Sequence, residues 1–76
     1  MDKIRFEYYE FLIIVMFEGE TRSATIKNME GCLPYIRNDR AMTAIVENTI
    51  KKADQMTDEE YLQLNLERYR LEAEEE

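Results

Sequence analysis

Residues 4–17 read IRFEYYEFLIIVMF, a run rich in the β-branched and aromatic side chains that favour strands. The sequence EGE follows, and its central Gly19 can adopt the positive φ of a tight turn. Residues 21–28, TRSATIKN, then alternate in a way that leaves one face polar, as in a returning strand with one side in solvent. These features predict an N-terminal antiparallel β-hairpin, followed by a connector over residues 29–37.

The apolar residues of the first stretch do not keep a single strand phase. The early ones fall on one parity and the later ones on the other, so a strand would need a β-bulge near Tyr9 and Glu10. A helix is the alternative, because several apolar residues also have helical spacing. Those residues are Ile4, Tyr8, Phe11, Leu12 and Val15. The β-rich composition and the turn that follows favour the strand.

The second half of the chain has helical patterns. Asn38 or Asp39 can cap a helix that runs to about Gln55, because apolar residues recur along it with i, i+3 and i+4 spacing. The sequence TDEE, residues 57–60, is a capping-box signature and predicts a second helix that continues to the end of the chain. We therefore predict an α+β fold, an N-terminal antiparallel β-hairpin followed by two antiparallel α-helices, as a single domain over residues 1–76.

A chain of this length buries only about 60% of the surface that its unfolded form exposes, so its fold needs additional support. Cys32 is the only cysteine and histidine is absent, which excludes an intrachain disulfide and disfavours a zinc site. The second helix has two apolar sides, and only one of them can pack on its own domain. We therefore predict a homodimer, joined through the first strand or the free side of the second helix. The predicted interface residues are Phe11, Ile13, Val15, Phe17, Tyr61, Leu64 and Leu71.

Residues 54–76 carry the whole net charge of −7, because they hold nine acids against Arg68 and Arg70, while the preceding residues balance. Three of the acids, Glu60, Glu67 and Glu74, recur every seven residues and form a row on a straight helix. The excess of acids argues against direct binding to nucleic acid or to an anionic membrane. The predicted partner-binding residues are Asp54, Asp58, Glu59, Glu60, Glu67, Glu72, Glu74, Glu75 and Glu76.

The sequence offers little chemistry for catalysis. It has no histidine for acid–base work and no glycine-rich phosphate loop, so we expect no enzymatic activity and no metal or other cofactor. Cys32 is expected to be a small buried hydrophobe. The apolar run over residues 11–17 is too short to span a membrane and lacks the flanks of a signal peptide, so a cytoplasmic protein is expected.

The acidic segment TDEEYLQLNLERYRLEAEEE, attached to a predicted dimerising segment FLIIVMF, resembles the small bacteriophage proteins that disable host factors by imitating DNA. The resemblance implies a non-enzymatic inhibitor of a basic DNA-binding host protein, and the histone-like nucleoid protein HU is the target that it favours. The acids would then occupy the surface that binds DNA and gain the counterion release that DNA gains.

Two other interpretations fit the same segment. The acids can be a solvated face that keeps a small protein soluble. The chain can also be an interaction adaptor or an antitoxin-like module, which docks through the apolar side of its C-terminal helix formed by Tyr61, Leu64 and Leu71.

Overall fold

Residues 4–74 are described by the computed structural model, with side chains up to Glu72, and they form helices and turns without a strand. The α+β fold with an N-terminal β-hairpin is therefore wrong. The α-helices within this range are α1 (Tyr8–Met16), α2 (Arg22–Cys32), α3 (Arg40–Gln55), α4 (Asp58–Leu62) and α5 (Glu67–Glu74), and a short 3₁₀ helix covers Leu33–Tyr35 after α2.

The stretch that was predicted as the first strand forms α1. Glu7 precedes the helix, and its N–H donates to Glu10 Oε1 at 2.7 Å, so the chain supplies its own N-terminal cap. The buried residues Phe6, Glu10, Ile13 and Ile14 have the spacing of one helical face. A helical period of 3.6 residues crosses both strand parities, so the change of phase in this stretch needs no β-bulge.

The segment that was predicted as the turn and returning strand forms a loop and the first part of α2. Gly19 does not have a positive φ. It is needed for space, since a Cβ at this position would lie 2.6 Å from the Cβ of Ala24. Thr21 caps α2 by accepting from the N–H of Ala24 at 3.1 Å, and the helix continues to Cys32, into the predicted connector.

The prediction of α3 is confirmed. Asp39 caps it by accepting from the N–H of Met42 at 3.0 Å, and the helix ends at Gln55. Its apolar face packs on α1 and α2 instead of on a hairpin. The apolar core of the protein consists of Phe6, Ile13, Ile14, Met29, Val46, Ala53, Met56, Tyr61 and Leu66.

The capping box that starts the C-terminal segment is confirmed, but the single long helix is wrong. Thr57 Oγ1 accepts from the N–H of Glu60 at 3.1 Å, and Glu60 Oε1 accepts from the N–H of Thr57 at 2.8 Å. The chain then leaves the helix after Leu62. On a straight helix, Tyr61 and Leu66 would point about 140° apart. The break at residues 63–66 lets both side chains enter the same core.

Candidate acidic interface

Arg22 fixes the position of the acidic segment. Its Nη1 donates to the carbonyl oxygen of Ala53 at 2.9 Å and to that of Asp54 at 3.5 Å, which satisfies carbonyls at the C-terminal end of α3. Its Nε donates to Asp58 Oδ1 at 2.9 Å. One guanidinium therefore joins the start of α2 to the end of α3 and the start of α4, and it holds the first acids of α4 at a defined place.

The predicted partner-binding acids that the structure describes are all exposed: Asp54, Asp58, Glu59, Glu60, Glu67 and Glu72. The backbone of Glu74 lies in α5, but its side chain and the whole of Glu75 and Glu76 lie outside the described residues. Because the helix breaks after Leu62, Glu60 and Glu67 belong to different helices. The predicted row of Glu60, Glu67 and Glu74 along one straight helix is therefore interrupted.

These acids differ in how far they are already engaged. Asp58 pairs with Arg22, Glu60 closes the capping box, and Glu72 Oε2 accepts from the hydroxyl of Tyr8 at 2.8 Å. Asp54, Glu59 and Glu67 make no hydrogen bond or ion pair through their carboxylates within the part of the chain whose side chains are described, residues 4–72. They are therefore the acids most available to a partner.

Arg70 pairs with a carboxylate that lies outside the acidic segment, that of Glu18. Its Nε donates to Glu18 Oε1 at 2.8 Å, and its Nη2 donates to the other oxygen of the same carboxylate. This bidentate contact lowers the pKa of the Glu18 carboxyl below its ordinary value and raises the pKa of Arg70. The positive charge that would offset the acids of α5 is thus largely compensated by a carboxylate in the loop between α1 and α2.

Aromatic contacts also hold α5 on α1. The rings of Phe11 and Tyr69 stack with their centroids 4.4 Å apart and their planes 8° apart. The ring centroids of Tyr8 and Tyr69 lie 6.2 Å apart. The guanidinium carbon of Arg68 lies 5.5 Å from the centroid of the Tyr69 ring. The acids of α5 are therefore presented by a helix that is docked on the body of the protein.

The residues predicted to form the dimer interface differ widely in exposure, and two of them lie in the core. Ile13 and Tyr61 are buried, and the Tyr61 hydroxyl lies 3.0 Å from Thr25 Oγ1 inside the core. Leu71 is 59% exposed. The remaining four, Phe11, Val15, Phe17 and Leu64, are half-buried against the core. The predicted pairing of strands between two subunits is wrong, because the predicted first strand is the helix α1. The homodimer itself stays a prediction.

A cavity of about 200 Å³ lies beside the acids of α4, and no sequence pattern indicated it. Leu62 lies at this cavity and is 80% exposed. No local signal marks Arg22, because its partners are more than 30 residues away along the chain. The residues that line the cavity are Glu20, Thr21, Arg22, Asp58, Tyr61 and Leu62.

Cys32 is half-buried, and this burial raises the pKa of its thiol. Among the described side chains, up to Glu72, no three from Cys, Asp or Glu lie close enough together to hold a metal ion. The same part of the chain has no helix with the length and hydropathy required to cross a membrane.

Comparison with known proteins gives one result. The model of the family described as "Putative transposon-transfer assisting protein" matches residues 6–67. No curated protein matches the chain, and no solved structure matches it. The matched residues extend from Phe6 to the first residue of α5 and include the whole of α1 to α4. Since this match covers well over half of the sequence, the chain belongs to the family described as "Putative transposon-transfer assisting protein".

Proposed function

We propose that this protein is a non-enzymatic cytoplasmic regulator that binds a basic DNA-binding protein through the acidic surface of residues 54–72 and competes with DNA for it. The observation that carries the proposal is the concentration of the net charge in one segment whose described acids are all exposed. The family description adds a link to the transfer of a mobile element. Such transfer involves proteins that bind DNA, and the surfaces with which they bind DNA are rich in Lys and Arg.

The physical basis is the similarity between the acidic surface and a phosphate backbone. One DNA strand carries a charge about every 3.4 Å, and a protein that neutralises these charges releases counterions. A single exposed ion pair contributes at most about 1 kcal/mol, so several carboxylates must act together. Asp54, Glu59 and Glu67 can each accept a cation without breaking a contact within the described part of the chain. A homodimer would present this surface twice.

The test is binding to purified HU, the basic nucleoid protein that the sequence resemblance favours, measured by fluorescence anisotropy. Binding should weaken at least tenfold between about 50 and 200 mM salt, as for a contact with several ion pairs. A duplex DNA should compete for HU. If binding occurs but responds neither to salt nor to DNA, the proposed competition with DNA is wrong.

Reversing the charge of two acids tests whether the acidic surface is the one that binds HU. The Glu59→Lys/Glu67→Lys double variant should raise the Kd at least tenfold, because two attractive contacts become repulsive. Glu30→Lys/Glu47→Lys is the matched control, since Glu30 and Glu47 are exposed on α2 and α3 and the net charge changes by the same amount. It should leave the Kd within about twofold. Equal losses for the two variants would mean that only the overall charge matters.

The second candidate is an interaction adaptor or an antitoxin-like module that docks through apolar side chains of the C-terminal segment. It is favoured by the exposure of Leu62 and Leu71, whereas Tyr61 is buried and needs no partner. For this function, Leu62→Ala/Leu71→Ala would abolish partner binding, while the Glu59→Lys/Glu67→Lys variant and added salt would have little effect.

A further inference from the structure

The cavity beside α4 lies between the loop that enters α2 and the first turn of α4. Its volume of about 200 Å³ corresponds to about seven water molecules at about 30 Å³ each, which is close to the size of one long side chain. Tyr61 forms part of its wall and is held in place by the contact of its hydroxyl with Thr25. One wall of the cavity therefore belongs to the core, and Glu20 and Thr21 of the loop before α2 form another part of its lining.

The charges that line this cavity favour a cation. Asp58 and Glu20 contribute two carboxylates, and Arg22 contributes one guanidinium. The guanidinium is already bonded to Asp58 Oδ1 and to carbonyl oxygens at the end of α3. Glu20 is exposed and makes no ion pair with the side chains that the structure describes, those of residues 4–72. The lining thus keeps a net charge of −1, and Asp58 Oδ2 and both oxygens of Glu20 can accept hydrogen bonds.

The apolar part of the lining suits an amphipathic side chain. The ring of Tyr61 and the 80% exposed Leu62 provide carbon surface beside the two carboxylates. Arginine and lysine bury their methylene stems on such surface while the charged group contacts acids or water. A purely apolar side chain would leave the carboxylates beside it without a donor, which is unfavourable.

We propose that this cavity is a socket for one arginine or lysine side chain of a protein partner. This inference rests on the proposed function, because it names the chemistry by which a basic partner is recognised at the acidic surface. The stem lies against Tyr61 and Leu62, and the charged group lies between Glu20 and Asp58. Arginine can donate to both carboxylates at once, whereas lysine offers a single ammonium, so the two are distinguished by their relative affinity.

The test is an NMR titration of the full chain with N-acetylarginine methylamide and, separately, N-acetyllysine methylamide with a free side-chain amine. We expect saturable shifts of the Leu62 methyl signals and of the Thr21 and Arg22 amide signals at millimolar concentrations. The citrulline analogue, which is nearly isosteric with arginine and uncharged, should produce no saturable shift. Absence of saturation with both basic compounds overturns the socket, as does an equal response to citrulline.

Two variants locate the binding. Glu20→Gln and Leu62→Ala should each weaken the affinity for the basic compound at least fivefold, and Glu30→Gln is the matched control for the loss of one exposed charge. Asp58 is left unchanged, because it also holds Arg22. An equal loss in the Glu20 and Glu30 variants indicates general attraction to an acidic surface and overturns the proposal.

The outcomes separate the socket from the proposed function. Saturable binding of arginine with no binding to HU or to other basic proteins supports the socket and removes the proposed function. Salt-sensitive binding to HU that Glu20→Gln leaves unchanged supports the proposed function and overturns the socket as the recognition site.

Discussion

Replacing Lys52 by methionine should destabilise the protein by about 2 kcal/mol, because it leaves a buried carboxylate without its cation. Lys52 Nζ lies 2.6 Å from Glu10 Oε1, and the Glu10 side chain is only 6% exposed. Removing one member of a buried pair costs about 3–5 kcal/mol. The Lys52 side chain is 30% exposed, so water can partly replace the ammonium and the expected cost is smaller. The N–H of Glu7 remains as a donor to Glu10.

Urea unfolding followed by circular dichroism at 222 nm measures this loss. A domain of this size has a total stability of about 4–11 kcal/mol, at about 0.05–0.15 kcal/mol per residue, so a loss of about 2 kcal/mol is large. With a slope of about 1 kcal/mol per molar urea, the midpoint should fall by about 2 M. Lys51→Met is the matched control, because Lys51 is exposed and forms no ion pair with the described side chains of residues 4–72. Its effect should stay within about 0.5 kcal/mol.

The double variant Glu10→Gln/Lys52→Met completes the test. The glutamine oxygen can still accept from the N–H of Glu7, and no charge is left buried, so at least half of the lost stability should return. Equal effects of the Lys51 and Lys52 variants would refute the reasoning. A double variant that is less stable than Lys52→Met alone would also refute it.

Two further predictions concern the loop between α1 and α2 and the helix that follows it. Gly19→Ala should lower the free energy of unfolding by about 1–3 kcal/mol, because the added Cβ would overlap the Cβ of Ala24. Gly31→Ala should instead raise it by about 0.5–1 kcal/mol in the same urea assay, because the added Cβ meets no atom within 4 Å and alanine favours the helix. The pair of Glu18 and Arg70 should stabilise the fold at neutral pH. It should lose this effect in acid, as the pH falls below the ordinary pKa of a glutamate and then through the lowered pKa of Glu18. Thermal unfolding of Glu18→Gln should therefore depend less on pH in this range, and an unchanged dependence would contradict the role of the pair.

The parts of the fold that were predicted correctly are those with local signals. The caps of α3 and α4 are formed by Asp39 and by Thr57 with Glu60, each within three residues of its partner. The prediction of a strand where α1 lies was wrong partly because of a tertiary contact. Glu10 is buried against Lys52, which is 42 residues away along the chain. Glu10 was placed at a bulge, although a glutamate three residues after Glu7 is also a helix-start signal.

The candidate interface was predicted in composition but not in geometry. Counting charges located the acidic segment, and the acids of this segment whose side chains the structure describes are exposed. It gave no indication that Arg22 and Tyr8 would engage Asp58 and Glu72, because these contacts join residues 36 and 64 positions apart. Glu59 and Glu67 make no hydrogen bond or ion pair among the described side chains. They can be distinguished from Asp58 and Glu72, which have partners, only once the positions of the helices are known.

The docking of α5 on α1 brings the start of the first helix next to the last helix that the structure describes. The hydrogen bond from the Tyr8 hydroxyl to Glu72 joins positions close to the first and last residues of the chain. A short linker from the end of α5 to the start of α1, with the chain opened between Tyr35 and Asp39, would therefore give a circularly permuted protein in which the helix neighbours stay the same.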